Sequence, residues 1–354
     1  MSNMSIFDTR TMLRMVEEAD IKPTSFLRDR FFSNVVPFET AKIDVDIVGS
    51  GGRKIAPFVN PKIGGKVIEH AGYTTNSYEA PEVSPWMITT AEELLKRMPG
   101  EPIYGSKSPI ERAAEQVGRD LAKLDEIITR REEVMCAEAL FKGSVTVKGE
   151  GYDDLISYWP KATGDQPKTT LTNLWTASGT TAAQIMADLR SVRTTMIKKG
   201  GGTPNQIIVG SAALNALIEK LQAAGALDNR RVDLGHIDPQ QLPNGVTYWG
   251  YLKDSALDIY SYDEWYLSDE GKEEPIVPAN LVLMAGNSYD ATTMAYGCTS
   301  VVDKAKDIFQ MYALPRVPVS KLSENPDGRI VQIKSKPLPI VNRINAFHVI
   351  EAAQ

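Results

Sequence analysis

The feature that most constrains the fold is a single long helix between Ser108 and Gly143. Ser108 and Glu111 have the spacing of a capping box, and Pro109 occupies the first helical position, where its missing N–H costs nothing. Gly143 follows the last helical position, where a left-handed residue readily ends a helix. These signals predict a spine helix over residues 109–142, roughly 50 Å long at about 1.5 Å per residue.

The apolar face of this helix is narrow and interrupted. Apolar residues recur every three or four positions from Ile110 to Ile128, and the row resumes at Met135 and Ala139. The segment Thr129–Glu133 breaks the row for a full turn. Because a coiled coil needs several uninterrupted heptads, we predict instead that several elements pack along the helix and that its carboxylates form a solvated face.

The composition is that of an ordinary globular protein. The chain has 354 residues, 42% hydrophobic and 24% charged, which is enough for two domains. Its formal net charge of −6 gives no sign of a basic surface for nucleic acid. No apolar run approaches the roughly 18 residues of a membrane span, and we expect no signal peptide. Two distant cysteines are consistent with reduced thiols.

Residues 1–40 are predicted to form an N-terminal arm. The segment Thr9–Ala19 has the pattern of a short helix. Two interpretations of residues 1–30 stay equally open, an extended arm that packs on a neighbour and a disordered segment. We expect the aromatic segment Phe26–Phe32 to dock the arm.

Residues 41–100 are predicted to form two β-hairpins and a short helix. Ile43–Ile47 alternates apolar and charged residues, and Arg53–Val59 is its predicted partner strand across a glycine-rich turn. The second hairpin, over about 61–87, is polar on both faces. Because a two-stranded ribbon is only marginally stable in water, a polar ribbon of this length predicts support from another subunit.

The spine helix belongs to a predicted region over residues 101–165 that ends in a hairpin. Beyond a polar loop, helix and strand patterns alternate, which predicts a compact α/β domain over residues 166–300. Residues 301–354 are punctuated by proline and end in a strand at Ala346–Ala352. We predict that this strand pairs in a sheet near the spine helix, so that the α/β domain is inserted in a discontinuous one.

The sequence contains no residue set for catalysis or metal binding. His70, His236 and His348 lie in unrelated segments, and no HExxH, GxSxG or CxxC motif occurs. Gly100–Ser108 is similar to a phosphate-binding loop, but one inserted residue separates its lysine from the second glycine. We therefore predict no enzyme activity, no cofactor and no metal site.

Six aromatic residues form the densest aromatic group of the chain. They are Trp249, Tyr251, Tyr260, Tyr262, Trp265 and Tyr266. Their alternation along two predicted strands favours packing, and stacking on a ligand or sugar is the alternative. A ligand-binding module with this group as its site is therefore the second class of function.

The order of these parts resembles the Hong Kong 97-type capsid fold of tailed phages, and more narrowly the lambda-type major capsid protein E family. No single motif is specific, and the resemblance rests on order and spacing along most of the chain. The similar segments are Phe26–Phe32, Val36–Phe38, Pro61–Ile68, Leu140–Glu150, Trp249–Tyr251, Asn280–Gly286 and Ala295–Cys298.

The resemblance implies an α+β fold with an N-terminal arm, an extension loop, a peripheral domain built on the spine helix, and an inserted α/β axial domain. It implies that many copies assemble in the host cytoplasm as pentamers and hexamers, first as a procapsid. The mature icosahedral shell would enclose double-stranded DNA in the virion. The implied partners are a scaffolding protein, a portal and a decoration protein, with no membrane and no sequence-specific DNA binding.

An encapsulin-like compartment of the same fold is the alternative, and it would enclose a cargo enzyme instead of DNA. As candidates for contacts between subunits we name Tyr73 near the ribbon tip, Trp86 at the ribbon base, and the helix charges Arg130 and Arg131. The acidic balance of the chain suits a container that encloses DNA without binding it tightly.

Overall fold

A computed structural model describes most of the chain, with gaps. The described residues are 12, 25–40, 42–48, 73–95, 108–149, 151–160, 166–223, 235–286, 290–303 and 308–353. Within them, no helix is long and apolar enough to cross a membrane.

The described chain contains helices and short strands in the following order. The helices are α1 (Leu27–Phe31), α2 (Ala91–Leu95), α3 (Pro109–Phe141), α4 (Ala182–Lys198) and α5 (Ser211–Ala223). The strands before α4 are β1 (Val35–Pro37), β2 (Lys42–Val48), β3 (Tyr73–Glu79), β4 (Trp86–Thr90), β5 (Ser144–Gly149), β6 (Tyr152–Ser157) and β7 (Lys168–Thr170). The later strands are β8 (Gln206–Val209), β9 (Gly235–Gln241), β10 (Val246–Leu252), β11 (Leu257–Tyr262), β12 (Trp265–Leu267), β13 (Glu273–Pro275), β14 (Leu281–Ala285), β15 (Thr292–Tyr296), β16 (Thr299–Asp303), β17 (Ile308–Tyr312), β18 (Val317–Glu324), β19 (Asp327–Lys334), β20 (Pro337–Val341) and β21 (Phe347–Glu351).

The predicted long helix is confirmed as α3, with 33 residues. Its capping box is complete, because the Ser108 hydroxyl accepts the Glu111 N–H and the Glu111 carboxylate accepts the Ser108 N–H at 2.8 Å. Gly143 ends the helix with a φ of +66°, and a side chain there would collide with the Trp159 ring. Both ends therefore form where the sequence signals place them.

The two halves of α3 pack against different parts of the fold. The first half buries Val117, Leu121, Leu124 and Ile128 against a three-stranded sheet in the order β18-β19-β4. Met12, the one described residue of the first 24, is buried in the same cluster. The second half lies in the larger core, with α1 and a seven-stranded sheet. The helix thus connects two separate hydrophobic cores.

The seven-stranded sheet has the order β7-β21-β14-β8-β11-β10-β9 and carries helices on both faces. Alternate residues such as Ile207 and Val209 face α4 and α5. Residues between them, such as Ile208 and Leu283, face α1 and the second half of α3. This alternation places α4 and α3 on opposite sides of the sheet, as strand geometry requires.

The strand β2 has a partner that sequence analysis did not predict. β2 pairs antiparallel with β3, so that Lys42 lies opposite Glu79 and Val48 opposite Tyr73. The predicted partner strand, Arg53–Val59, lies outside the described residues, so its pairing with β2 stays a prediction. A local glycine-rich turn cannot reveal a partner about 25 residues further along the chain.

The C-terminal strand also lies elsewhere than predicted. β21 pairs with β14 and β7 inside the seven-stranded sheet, so it belongs to the α/β domain and not to a discontinuous domain around it. Four of its five residues are buried, so only an internal position with cover on both faces suits it. Conversely, the prediction placed β15 in the α/β domain, but β15 pairs with β1 and β20 in a separate sheet. The predicted boundary at residue 300 is therefore wrong for these two strands.

A pH dependence follows from His348 on β21. Burial, together with nearby Lys199, lowers the pKa of His348 to about 4, and its Nε2 lies 2.8 Å from the Thr169 hydroxyl. The unfolded chain takes up this proton near pH 6.5, whereas the folded chain does so only near pH 4. We expect the stability from this residue to be complete above pH 6.5 and to be lost progressively toward pH 4.

Thermal melts of the unassembled subunit between pH 4 and 7 test this expectation against the variant His348→Gln. The variant should show a shallower fall in Tm than the natural chain over this window, because it removes one titrating group. Equal slopes for the two proteins would contradict the assignment.

Candidate functional site

The short helix α1 is the point at which the arm meets the rest of the fold. Leu27, Phe31 and Phe32 are buried in the larger core, so this aromatic segment is itself firmly packed, and its role in docking the arm stays a prediction. The helix has only five residues, so its own hydrogen bonds contribute little stability. Its position therefore depends on what its side chains and backbone contact.

The N-terminus of α1 is held by a buried carboxylate of α3. Glu133 accepts the backbone N–H groups of Phe26, Leu27 and Arg28 at 2.7 to 3.0 Å. These are the N–H groups that a helix start leaves without partners, and a negative charge is favourable there. Burial raises the pKa of Glu133, and the three N–H donors oppose that rise.

Beside Glu133, the fully buried Glu132 binds two arginines from distant parts of the chain. Arg316 makes a two-pronged contact with it, at 2.5 and 3.1 Å, and Arg28 of α1 approaches to 3.1 Å. Tyr296 donates its hydroxyl at 3.2 Å, and Arg316 also binds Asp125 at 2.6 Å. Burial lowers the pKa of Arg316, but the facing carboxylates raise it by more. We call these five residues the Glu132 cluster.

The prediction that the carboxylates of the spine helix form a solvated face is wrong for three of them. Glu132 and Glu133 are fully buried, and Asp120 is nearly so. Asp120 accepts from Gln116 and Thr89 at 2.8 and 3.1 Å, and burial raises its pKa. A buried carboxylate is tolerated because partners satisfy its oxygens. Those partners are mostly distant in sequence, so the helical pattern did not reveal them.

The other side of α1 contacts the seven-stranded sheet. Arg30 donates to the Gln206 side chain at 2.6 Å, and its guanidinium lies 4.4 Å from the centre of the Tyr260 ring. Phe31 packs edge-to-face on Phe347 of β21 at 5.6 Å. One five-residue helix therefore links α3 to the sheet that carries the C-terminal strand.

The four predicted contact residues lie at separate places. Tyr73 begins β3, and its side chain lies outside the described residues. Trp86, in β4, is 57% exposed. Arg130 pairs with Glu126 at 2.9 Å along the helix, and Arg131 binds Asp269, beyond the end of β12, at 2.6 Å. The structure brings none of the three described side chains together.

Sequence analysis missed an exposed apolar face on the hairpin β16–β17. Val302 lies opposite Phe309, and Met311 is on the same face. Phe309 and Met311 are 79% and 76% exposed, and half of Val302 is exposed. The alternation Phe309-Gln-Met311 was a signal for such a face, but a pattern of period two does not say whether the apolar side is covered.

Most of the aromatic group packs within the fold, whereas Tyr251 and Trp265 are exposed at 39% and 57%. Tyr262 is buried, the Trp249 indole donates to Ser261 at 3.0 Å, and the Tyr260 ring is covered by Arg30. A cleft of about 200 Å³ lies between Tyr266 and the end of α3. Among the described residues, no group of His, Cys, Asp or Glu is arranged to hold a metal ion.

The family model for phage major capsid protein E matches residues 8–350. The chain belongs to the phage major capsid protein E family. It is a major capsid protein of tailed phages, and the family is structural rather than enzymatic. Its fold is of the Hong Kong 97 type, and capsid proteins of this kind assemble as many copies into the shell of the virion.

Relatives and solved structures agree with this membership. The chain is 23% identical to the major capsid protein of Escherichia phage lambda, over 99% of this chain and all of that one. It is 22% identical to the major capsid protein of Enterobacteria phage P21, over 98% and 99%. A crystal structure from a prophage of E. coli CFT073, assigned as a capsid protein, has a TM-score of 0.70 at 16% identity, over 98% and 99%. These capsid relatives favour a phage shell over an encapsulin-like compartment.

The Glu132 cluster predicts that two glutamates of α3 contribute very differently to the free energy of unfolding. Glu132→Ala should lower the free energy of unfolding by about 3–5 kcal/mol, because two arginines lose a buried partner. Glu126→Ala is the matched control, since it removes an exposed pair with Arg130 and should cost about 1 kcal/mol or less. Urea unfolding of the unassembled subunits measures both, and equal effects would contradict the assigned role of the cluster.

Proposed function

We propose that this capsid protein assembles as pentamers and hexamers into an icosahedral shell that encloses double-stranded DNA. The observation that carries the proposal is the exposed apolar face of the hairpin β16–β17 in a chain of this family. A lone subunit gains nothing from exposing such a face, whereas obligate assemblies bury about 2,000–5,000 Å² or more at their interfaces.

We assign the parts of the chain to roles in such a shell. Residues 1–40 would be the arm, and about 61–87 the extension loop. The sheet β18-β19-β4 with α3 would be the peripheral domain, and the seven-stranded sheet with α4 and α5 the axial domain around the symmetry axes. On this assignment β21, which the prediction gave to the peripheral domain, belongs to the axial one.

For contacts between subunits we retain the four predicted residues. Trp86 is supported by its exposure on the face of the peripheral sheet that points away from α3. Tyr73, Arg130 and Arg131 stay proposals on their positions at the end of a strand pair and on the outer side of the long helix.

The proposed partners are a scaffolding protein, a portal and a decoration protein, and assembly would occur in the host cytoplasm. The chain would not bind DNA by sequence. Its net charge of −6 supports a shell that makes few contacts with DNA phosphates and therefore does not bind the packaged DNA tightly.

Light scattering and negative-stain imaging of the purified chain, alone and with its scaffolding protein, test the proposal. We expect regular shells, or discrete rings of five and six subunits. A chain that stays monomeric with the scaffolding protein present would overturn the proposal.

The segment between β2 and β3, which contains residues 61–72 of the proposed extension loop, gives a sharper prediction. Val48 lies opposite Tyr73, so replacing residues 49–72 by Asn-Gly joins β2 and β3 through a two-residue turn. We expect this variant to keep a Tm close to that of the natural chain, because the described cores lie outside the replaced segment. It should form no closed shells. A variant that assembles normally would show that residues 49–72 do not link subunits.

A further inference from the structure

The hairpin β12–β13 presents an exposed apolar and acidic surface. Trp265 and Leu267 share one face and are 57% and 68% exposed. We call residues 263–275 the acidic hairpin, because its six carboxylates and one lysine give a net charge of −5. These charged residues are Asp263, Glu264, Asp269, Glu270, Lys272, Glu273 and Glu274.

The acidic hairpin is held in position before any partner binds. Arg131 of α3 binds Asp269 at 2.6 Å, and the Tyr266 hydroxyl donates to Glu274 at 2.9 Å. Tyr266 lies on the face opposite Trp265 and lines the cleft next to α3. The hairpin therefore turns its inner face to its own helix and its Trp265 face outward.

The helix α4 has the complementary charge, and Arg190 and Lys198 are the basic residues on its outer face. Residues 182–199 carry four basic side chains and one acidic one, a net charge of +3 in a chain that is acidic overall. An open groove of about 430 Å³ runs along this face. Its lining includes Ala187, Ser191 and Thr194, together with the basic residues Arg190 and Lys198. Arg190 also reaches Asp254 at 3.3 Å, yet 55% of its side chain is exposed.

The two surfaces lie on opposite sides of the seven-stranded sheet. The acidic hairpin packs on the side of α3, through Arg131 and the cleft. α4 covers the other face of the sheet with Ile185, Leu189 and Met196. Two different, complementary surfaces on opposite sides are what a head-to-tail contact requires, and such contacts form a ring when the rotation between neighbours closes.

We propose that the acidic hairpin of one subunit docks on the outer face of α4 of a second copy of this chain, around the axis of each ring. Trp265 and Leu267 would fill the groove, and Arg190 and Lys198 would meet the hairpin carboxylates. An arginine beside a tryptophan face adds a favourable contact. This inference rests on the proposed pentamers and hexamers, and names the contact that forms them.

Charge reversal on each side tests the contact. The hairpin variant is Glu270→Lys with Glu273→Lys. The α4 variant is Ser191→Glu with Lys198→Glu, which leaves the pair of Arg190 and Asp254 intact. Each variant should keep its thermal stability and lose about tenfold or more in ring yield, because like charges then face each other. A chain with all four substitutions should recover most of that yield.

A mixture of the two variants makes the sharpest test. In a head-to-tail ring every contact joins one hairpin to one α4 face, so complementary subunits must alternate. Alternation closes a ring of six but leaves one repulsive contact in a ring of five. We therefore expect the mixture to form hexamers, but neither pentamers nor the closed shells that need them, as seen by mass photometry and negative stain.

The controls separate failure of this contact from failure of the proposed function. Glu324→Lys with Asp327→Lys, at the β18–β19 turn, makes the same charge change and should not rescue the α4 variant. If the natural chain assembles and the reversed variants assemble equally well, the contact is wrong and the proposed function stands. It is also wrong if neither the combined chain nor the mixture recovers rings, since another partner then uses these surfaces. If the natural chain itself forms no rings or shells, the proposed function fails.

Discussion

The structure depends on two adjacent buried carboxylates in the last third of a 33-residue helix. Glu133 fixes the start of α1, and Glu132 joins α1 to the long helix and to Arg316 near the C-terminal third of the chain. Removing two charges from water is costly, so they are stable only with every partner present. The main effect of the network is therefore to fix how three distant segments are arranged, and its contribution to net stability is secondary.

That arrangement gives the subunit a rigid centre and exposed edges. α3 bridges two hydrophobic cores, one under the three-stranded sheet and one under the seven-stranded sheet. The paired strands β2–β3, β12–β13 and β16–β17 each form separate two-stranded sheets outside these larger ones. Two-stranded ribbons are marginal by themselves, so a shell protein can use them where a neighbouring copy completes their packing. A subunit with well-packed cores and separate two-stranded sheets outside them suits a protein whose stable form is an assembly.

Charge is distributed unevenly between these parts. Buried charges such as Glu132 and Arg316 are matched inside the subunit at hydrogen-bond distance. The exposed charges of the acidic hairpin and of α4 are only partly matched within the chain, and they have opposite sign. Internal pairs set the conformation of one subunit, whereas unmatched surface charges select the neighbour and its orientation.

The sequence alone determined the elements whose signals are local. The capping box and Gly143 defined α3, and the alternating helix and strand patterns after residue 166 indicated the elements of the α/β domain, such as α4 and β8. The order of these elements was enough to suggest the capsid family. Local signals suffice here because caps and periodicity act within a few residues.

Only the tertiary structure decided which segments pair and which charges are buried. β2 pairs with β3, and β21 pairs inside the seven-stranded sheet. Glu132 and Glu133 are buried because Arg28 and the backbone of α1, more than 100 residues away in sequence, bind them. The exposed face of β16–β17 was likewise invisible, since exposure depends on what the rest of the chain leaves uncovered. A short segment indicates its own preference for helix or strand, but it does not indicate which distant segment it contacts.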